Sequence, residues 1–515
     1  MNIPTKIGFL LACLLLSATA RYVPASSRQP NIVLIVADDL GYGDLGCYGQ
    51  QKIETPHLDA LADRGMRFRQ FYSGSAVCAP ARCVLLTGLH TGHAYVRGND
   101  EWAERGEVWN FLKAAEDPNL EGQRPMPSDT RTLSSLLQGA GYATACVGKW
   151  GLGAPLSESR PNAMGFDFFY GYNCQRQAHN LYPPYQWRNG EKIRTQNTPF
   201  APNAKLPEGA DPNAPASYSG FRGREYAPAL QLSEALGFLG QYAGKKPFFL
   251  MYTSPLPHVA LQAPSAVVDY YARKLGPEPP YLGQQGYLPC LAPRATYAAM
   301  VHILDEQVGA IVAELKKRGV EDNTLILFTS DNGPSYAGGT DPEFFQSAGP
   351  FDSRYGRGKG FLYEGGIRVP FIAVWPGHIQ AGSESGHVAA LWDLFPTLQE
   401  VARAPRQPGL DGLSLLPVFK GRRKAPGHPW LYWEFPEYGG QQALRMGKWK
   451  ALRLEMQKGN LKTLLFNLEE DPREERNIAA EHPDVVAQIE RIMAGEHRRS
   501  PIARFRIRAL DEAGE

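Results

Sequence analysis

Short apolar segments recur along the chain and are separated by longer segments of mixed polarity. Asn31–Ala37 (NIVLIVA), Pro247–Tyr252 and Thr324–Thr329 are apolar runs rich in β-branched or aromatic residues, and Tyr142–Val147 has a similar character. Runs without polar alternation are typical of strands that are buried on both faces, as in parallel sheets. The pattern therefore predicts several central strands of one sheet.

Helical signals lie between these strands. Thr55-Pro56 opens a helix that Gly65 closes, and Thr132–Gln138 is also predicted to be helical. Apolar residues in Thr296–Lys317 fall on one face of a long helix, which Gly319 ends. Strands that alternate with helices indicate an α/β fold with a large, mostly parallel central sheet flanked by helices.

The pattern changes after a proline-rich region near residue 405. Two-residue alternation and aromatic residues then predict a small antiparallel sheet with a closing helix. Its strands and helix are predicted at Trp430–Phe435, Arg445–Leu452, Thr463–Leu468 and Pro483–Met493. We expect a catalytic α/β domain over 30–404 and a C-terminal α+β subdomain over 428–515.

A long irregular insertion is predicted between Asn180 and Arg222, where prolines and asparagines are frequent. Its aromatic stretch Tyr182–Trp187 has two interpretations: the rings could stack on sugar rings or pack locally.

The N-terminus has the pattern of a secretory signal peptide over residues 1–20. Lys6 precedes a short apolar run, and small residues precede a cleavage point after Ala20. We expect export to the periplasm, a lumen or the medium; a lipoprotein signal at Cys13 is the alternative. Six cysteines would remain after cleavage, and their spacing shows no C-x-x-C zinc pattern.

Composition excludes several classes of protein. The chain has 515 residues with 54 Lys+Arg and 52 Asp+Glu, a formal charge of +2. With 43% apolar and 21% charged residues it is globular, and its near-neutral charge argues against a nucleic-acid partner. No apolar run reaches the roughly 18 residues of a spanning helix, so no transmembrane segment is expected.

Acidic side chains follow two of the predicted strands. Asp38 and Asp39 come after the first strand, and Asp331 and Asn332 come after a later one. Ligands in open α/β sheets collect beyond the carboxyl ends of the strands. Four converging oxygen side chains suit Ca²⁺ or Mg²⁺, although each pair alone is often only a turn or a helix cap.

A cysteine lies near a predicted helix N-terminus. In Cys78-Ala79-Pro80-Ala81-Arg82, Pro80 fits the first helical turn, which puts Cys78 just before the helix. Free N–H groups and the helix dipole favour an anion there, and Arg82 could present its guanidinium to the same anion. The alternative is a buried structural cysteine.

The stretch Cys78-x-Pro80-x-Arg82 with Thr87-Gly88 resembles the signature of type I sulfatases, in the alkaline-phosphatase superfamily. Other segments resemble the family in the same order along nearly the whole chain: Asn31–Gly49, Thr55–Phe68, Gly148-Lys149-Trp150, Thr329–Pro334, Gly358-Lys359-Gly360, Tyr363–Pro370 and Leu468–Asn477.

The resemblance implies a calcium site and a modified cysteine. Asp38, Asp39, Asp331 and Asn332 would bind one Ca²⁺, and a maturation enzyme would convert Cys78 to formylglycine, which supplies a further oxygen to the metal. The cations around the sulfate and the formylglycine would be Arg82, Lys149 and Lys359. His258 would face the leaving-group oxygen.

The resemblance also implies a mechanism. A hydrated aldehyde carries two hydroxyls on one carbon; one would attack sulfur with Asp331 as base, while His258 or Lys359 protonates the departing alcohol. Loss of the second hydroxyl proton would re-form the aldehyde and expel sulfate. Calcium and the cations would meet the charge that develops on sulfate.

Two positions depart from the family pattern. Gly151 stands where the family often has a histidine that assists the elimination step, so Lys149, water, His90 or His93 are candidates for that role. Ala81 replaces a common serine, which should not prevent maturation.

The family resemblance implies a sulfated substrate, and we expect a sulfated carbohydrate, with aryl sulfates as model substrates. Two alternatives remain open: a phosphonate monoester or phosphodiester hydrolase of the same superfamily, and a non-catalytic sulfoglycan-binding pseudo-sulfatase.

Overall fold

The computed structural model describes residues 29–422 and 424–511, so the expected signal peptide over 1–20 lies outside the described residues. The strands of the described ranges are β1 (Asn31–Ala37), β2 (Met66–Phe68), β3 (Phe71–Tyr72), β4 (Ala143–Lys149), β5 (Phe168–Tyr172), β6 (Tyr185–Arg188), β7 (Glu191–Arg194), β8 (Phe248–Thr253), β9 (Thr324–Ser330), β10 (Phe371–Val374), β11 (Ser383–Ser385), β12 (Ala389–Ala390), β13 (Leu431–Phe435), β14 (Gln441–Met446), β15 (Trp449–Arg453) and β16 (Leu464–Asn467).

The α-helices of the same ranges are α1 (Pro56–Asp63), α2 (Cys78–Thr87), α3 (Phe111–Glu116), α4 (Leu133–Gly139), α5 (Ala227–Tyr242), α6 (Ser265–Leu275), α7 (Pro293–Lys317), α8 (Pro342–Phe345), α9 (Glu364–Ile367), α10 (Leu394–Val401), α11 (Leu416–Phe419), α12 (Pro483–Glu496) and α13 (Arg508–Asp511).

The main sheet has ten strands in the order β11-β2-β10-β9-β1-β8-β4-β5-β6-β7. Its central strands, from β9 to β5, are parallel, whereas the strands toward both edges include antiparallel pairs. A second sheet of four antiparallel strands, β13 to β16, lies in the C-terminal region. The predicted fold class is therefore confirmed, whereas the boundaries at 404 and 428 stay predictions.

The central position of β1 explains why its sequence is apolar without alternation. Ile32 and Leu34 belong to the apolar cluster on one face of the sheet, and Val33 and Ile35 belong to the cluster on the other. All four side chains are fully buried. Helices cover both faces, so every position of the strand needs an apolar side chain.

One helix start and one helix cap differ from expectation. α7 begins at Pro293 rather than near Thr296, with the proline in its first turn. Thr55 precedes α1 but does not cap it through its side chain; the Thr55 hydroxyl accepts a hydrogen bond from the Gly46 N–H instead, at 2.8 Å.

The predicted insertion is more regular than expected. β6 and β7 form an antiparallel hairpin that extends the edge of the main sheet. Tyr182, Tyr185 and Trp187 are buried, with exposed fractions of 5%, 5% and 6%. Local packing is therefore the correct interpretation of this aromatic stretch.

The C-terminal sheet contacts the catalytic region directly. The single segment predicted at Arg445–Leu452 is two strands, β14 and β15, separated at Gly447, whose φ of 58° is left-handed. From β14, Gln441 donates to the Gly360 carbonyl at 2.7 Å and accepts from the Leu362 N–H at 3.0 Å. From β15, the buried Lys450 binds Glu364 at 3.0 Å.

The six cysteines of the described residues are free, so the structure contains no disulfide among them. In the same ranges, no helix combines the length and the apolar character that crossing a membrane requires.

Candidate active site

The carboxyl ends of four adjacent strands, β9, β1, β8 and β4, converge at the candidate site. Asp38 follows β1 and Asp331 follows β9, and the register aligns the strand ends by pairing Ala37 with Ser330. Lys149 is the last residue of β4. His258 lies in the loop after β8.

Cys78 lies against both aspartates. It is the first residue of α2, not the residue before it as predicted. Its Sγ lies 3.3 Å from Asp38 Oδ1 and 4.0 Å from Asp39 Oδ1. Burial, together with the negative charge of Asp38, raises the pKa of the Cys78 thiol to about 12. An unmodified thiol at this position therefore stays protonated at neutral pH and is a poor nucleophile.

Two lysines neutralise the paired aspartates. Lys149 Nζ donates to Asp38 Oδ2 at 2.5 Å, and Lys359 Nζ donates to Asp39 Oδ2 at 2.7 Å. Burial opposes ionisation of Asp38, but Lys149 and the neighbouring cations outweigh it and hold the pKa of Asp38 below its ordinary value. Burial likewise opposes the charge of Lys359, yet Asp39 keeps the lysine pKa well above its ordinary value.

Arg82 is bound by protein groups rather than open to an anion. Its Nη1 donates to Asp331 Oδ2 at 2.9 Å, Nε to the Trp150 carbonyl at 2.8 Å and Nη2 to Gln175 Oε1 at 2.8 Å. Both members of the Arg82–Asp331 pair are 2% exposed in their side chains. Burial and the charge of Asp38 raise the pKa of Asp331 to about 7.

The donor set fits a hard divalent cation. Asn332 Nδ2 donates to Asp39 Oδ1 at 2.8 Å, while Asn332 Oδ1 is buried and has no hydrogen-bond partner in the described part of the chain. A buried amide oxygen without a partner is unfavourable unless something binds it. Together with the three carboxylates Asp38, Asp39 and Asp331, this oxygen matches the ligands that Ca²⁺ prefers.

His258 faces the Asp39 side of the site. Its Nε2 lies 3.7 Å from Asp39 Oδ2, and its Nδ1 contacts the Val259 carbonyl. Because a carbonyl can only accept, Nδ1 carries the ring proton and Nε2 is the free nitrogen. Burial, with Lys359 and Lys149, holds the pKa of His258 well below its ordinary value, so the ring is neutral.

Sequence patterns missed His179. Its ring stacks on that of His258 with centroids 4.7 Å apart and planes at 12°. The Tyr287 ring packs edge-on against both, at 5.3 Å from His179 and 6.1 Å from His258. His179 follows β5 in a short 3₁₀ helix, Gln175–His179, and no motif marks it in the sequence.

Gly151 has no room for the family histidine. Its φ is +71°, and an added Cβ would lie 2.8 Å from Arg82 Nη2 and 2.8 Å from Gln175 Cβ. Gln175 thus occupies the space beside this glycine.

His90 and His93 cannot replace the missing histidine, which corrects that expectation. They follow the C-terminal end of α2, whose ten residues separate them from Cys78 by about 15 Å. There His93 Nδ1 lies 2.9 Å from Asp411 Oδ1, and His90 Nε2 lies 3.1 Å from Glu496 Oε2.

Comparisons with known proteins agree with this geometry. A family model described as Sulfatase matches residues 30–404, and one described as N-sulphoglucosamine sulphohydrolase, C-terminal, matches residues 351–498. N-acetylgalactosamine-6-sulfatase of Sus scrofa is 34% identical over 422 residues, covering 79% of this chain and 70% of the relative. Arylsulfatase A of Bos taurus is 33% identical over 507 residues, covering 91% and 89%.

The crystal structure of Ps i-CgsB in complex with k-i-k-neocarrahexaose is also similar. It has a TM-score of 0.71 and 28% identity, and the match covers 92% of this chain and 94% of that one. The fold and the site together define a hydrolase of the alkaline-phosphatase superfamily. The chain belongs to the sulfatase family and is a sulfuric ester hydrolase.

Proposed function

We propose that the protein hydrolyses sulfate esters of a carbohydrate with one bound Ca²⁺ and with formylglycine formed from Cys78. One observation carries the proposal: Cys78 Sγ faces Asp38 Oδ1 and Asp39 Oδ1, while Lys149 and Lys359 bind the opposite oxygens of the same carboxylates. The side chain that would be modified therefore faces two proposed metal ligands, and the two lysines bind the other oxygens of those ligands.

Asp38, Asp39, Asp331, Asn332 and the modified residue 78 would hold the ion. When both groups are present, calcium supplies positive charge for the sulfate oxygens and the hydrated aldehyde supplies the attacking hydroxyl. The chain's own contribution is to bury these ligands and fix their positions. Arg82 does so for Asp331: one hydrogen bond joins its guanidinium to the carboxylate, and two others, to the Trp150 carbonyl and Gln175, fix the guanidinium.

The charge balance supports an anionic substrate. Three carboxylates, Asp38, Asp39 and Asp331, face three cations, and each pairs with one of them: Lys149, Lys359 and Arg82. A divalent cation then leaves the site with excess positive charge, which attracts a negatively charged sulfate ester. A neutral ester would gain much less from the same field.

Lys359 is the better candidate for proton donation to the leaving alcohol. His258 carries its proton on Nδ1, toward the Val259 carbonyl, so its Nε2 has no proton to give. Lys359 is charged and lies beside Asp39, which His258 also approaches. We assign proton donation to Lys359 and hydrogen-bond acceptance to His258 Nε2.

A sulfated carbohydrate is the proposed substrate because a relative with 34% identity is an N-acetylgalactosamine-6-sulfatase. Neither the phosphonate or phosphodiester alternative nor the pseudo-sulfatase has a specific observation in its favour. Export through a signal peptide, and maturation by a formylglycine-generating enzyme, belong to the same proposal.

The test combines turnover with chemistry at position 78. Sulfate release is measured on nitrophenyl sulfate and on defined sulfated oligosaccharides for the wild type, Cys78→Ala and Cys78→Ser. Both substitutions should abolish turnover, and EDTA should lower it until calcium is restored. Cys83→Ala is the matched control, since Cys83 is fully buried in the same helix and should keep turnover.

Mass spectrometry of the peptide that contains Cys78, from protein made in its native host, should show the mass of an aldehyde in place of the thiol. Near-normal hydrolysis by Cys78→Ala would falsify the assignment. Faster turnover of a nitrophenyl phosphodiester than of the sulfate would favour the other hydrolase class.

A further inference from the structure

A cavity of about 450 Å³ lies next to the candidate active site. Its size is within the range of about 300–1,000 Å³ that is typical of pockets for small ligands. Its walls come from the start of α3, the 3₁₀ helix Gln175–His179, the loop near residue 202 and the loop that carries Tyr287. A larger cavity of about 540 Å³ elsewhere shares no lining residue with the active site.

Two residues belong to both the cavity and the active site. His179 and Tyr287 line the cavity, and their rings pack against the His258 ring with centroids 4.7 Å and 6.1 Å away. His258 Nε2 in turn lies 3.7 Å from Asp39 Oδ2. The cavity therefore begins one ring beyond His258, on the side that we assign to the leaving alcohol.

An exposed aromatic ring lies at the cavity. Trp109 is 61% exposed, although it is a large apolar side chain. Arg176 holds its backbone, because Nη1 donates to the Trp109 carbonyl at 2.5 Å and Nη2 donates to the Val108 carbonyl. The guanidinium carbon also lies 5.5 Å from the centroid of the Trp109 ring. The ring is thus held in position while its surface remains available to a ligand.

The chemistry of the walls suits a saccharide. The lining residues include Trp109, the amides of Asn110 and Asn203, and Arg176, and they include no carboxylate. Aromatic rings stack on the apolar faces of sugars, and amides form hydrogen bonds with hydroxyls. Acidic walls would repel a sulfated or carboxylated chain, and none are present among these residues.

We propose that this cavity binds the sugar residue next to the sulfated one in an oligosaccharide substrate, with the Trp109 ring stacked on its pyranose ring. The proposal rests on the proposed function and specifies its substrate as an oligosaccharide rather than a sulfated monosaccharide. The sulfated sugar would occupy the active site, and its neighbour would extend past His179 and Tyr287 to Trp109.

The test compares two substrates from one polymer: the sulfated tetrasaccharide that releases sulfate fastest, and the sulfated monosaccharide at its end. Trp109→Ala should raise KM for the tetrasaccharide about three- to tenfold with kcat unchanged within about twofold. The ratio of kcat/KM between tetrasaccharide and monosaccharide should fall by the same factor. Trp109→Phe keeps an aromatic face and should recover most of the loss.

Tyr270→Ala is the matched control. Tyr270 is 41% exposed and packs edge-on against Tyr271 in α6, outside the cavity. The proposal would be overturned if Tyr270→Ala lost activity on the tetrasaccharide and Trp109→Ala did not. It would also be overturned if Trp109→Ala lost activity equally on both substrates. An unchanged thermal unfolding midpoint would show that Trp109→Ala is folded.

Different results would reject the sugar site and the proposed sulfatase function. A wild-type enzyme that releases sulfate, with a tetrasaccharide KM that Trp109→Ala does not change, rejects only the sugar site. A correctly matured wild-type enzyme that releases sulfate from no sulfated substrate rejects the proposed function, and the sugar site with it.

Discussion

Replacing Arg82 with methionine should destabilise the protein severely. The guanidinium forms an ion pair with Asp331 at 2.9 Å, and both side chains are 2% exposed. Removing one partner leaves the other charge buried and uncompensated, which costs about 3–5 kcal/mol. The Trp150 carbonyl and Gln175 Oε1 also lose a donor, so we expect a value toward the upper end of that range.

Equilibrium unfolding in urea, followed by circular dichroism, measures the loss. Arg64→Met is the control, because Arg64 pairs with Glu321 at 2.5 Å but its side chain is 44% exposed. That exposed pair should contribute about 0–1 kcal/mol. A second variant, Arg82→Met with Asp331→Asn, removes the orphaned charge and should recover part of the stability.

A loss of unfolding free energy in Arg82→Met no larger than that in Arg64→Met would show that the buried ion pair is not needed for stability. A double variant less stable than Arg82→Met alone would show that the buried carboxylate is not the source of the loss.

Three further predictions follow from buried groups. Lys149→Met should lower kcat on nitrophenyl sulfate by about 100-fold or more, and a loss below tenfold would contradict its role. Gly151→His should lower the free energy of unfolding by about 1–2 kcal/mol without raising turnover, because residue 151 has a left-handed φ and an added side chain would contact Arg82. Gly220→Ala is the control: an added Cβ there meets no atom within 4 Å, so this change should have little effect in the same urea titration. Burial raises the pKa of Glu121 to about 7. This native pKa exceeds the unfolded value near 4.5, so the native state binds the proton more strongly than the unfolded state. The protonated carboxyl therefore stabilises the fold at low pH, and that stabilisation is lost as the pH rises from about 4.5 to 7. The wild type should therefore lose about 3 kcal/mol between pH 4.5 and 8 that Glu121→Gln does not lose, as urea unfolding at both pH values would show.

The parallel sheet and the grouping of acids could be predicted because both depend on local sequence. A continuous apolar strand such as Asn31–Ala37 requires cover on both faces, and an acid directly after it lies at the carboxyl edge. The register that pairs Ala37 with Ser330 then brings Asp38 and Asp331 together. The role of Cys78, by contrast, follows from the family resemblance and not from the local sequence pattern.

Partners across the fold could not be predicted. The sequence supplies the charge of Arg82 but not the carbonyl and amide that bind it, since these come from β4's loop and the segment after β5. His179 meets His258 only because two distant loops pass each other, and its spacing carries no period or motif. Contacts of this kind depend on the path of the loops.

The β6–β7 hairpin, which the sequence analysis does not predict, has a recognisable turn dipeptide. The hairpin of β6 and β7 turns at Asn189-Gly190, a dipeptide that favours tight hairpin turns, and Asn189 has a φ of 53°. Pro183 and Pro184, just before the hairpin, predict irregular structure instead.

The hydrogen bonds of Gln441 link two distant parts of the chain. They hold the main chain on both sides of Phe361, two residues beyond Lys359, from a strand of the C-terminal sheet. An enzyme shortened after residue 427 would keep every proposed calcium ligand, but Gly360 and Leu362 would lose their hydrogen bonds to Gln441. The segment that carries the proposed proton donor would keep the hydrogen bonds from the Lys359 and Gly360 N–H groups to the Pro334 and Ala76 carbonyls. The smaller sheet therefore helps to fix the main chain next to Lys359, and a search for a minimal active fragment should not begin by deleting it.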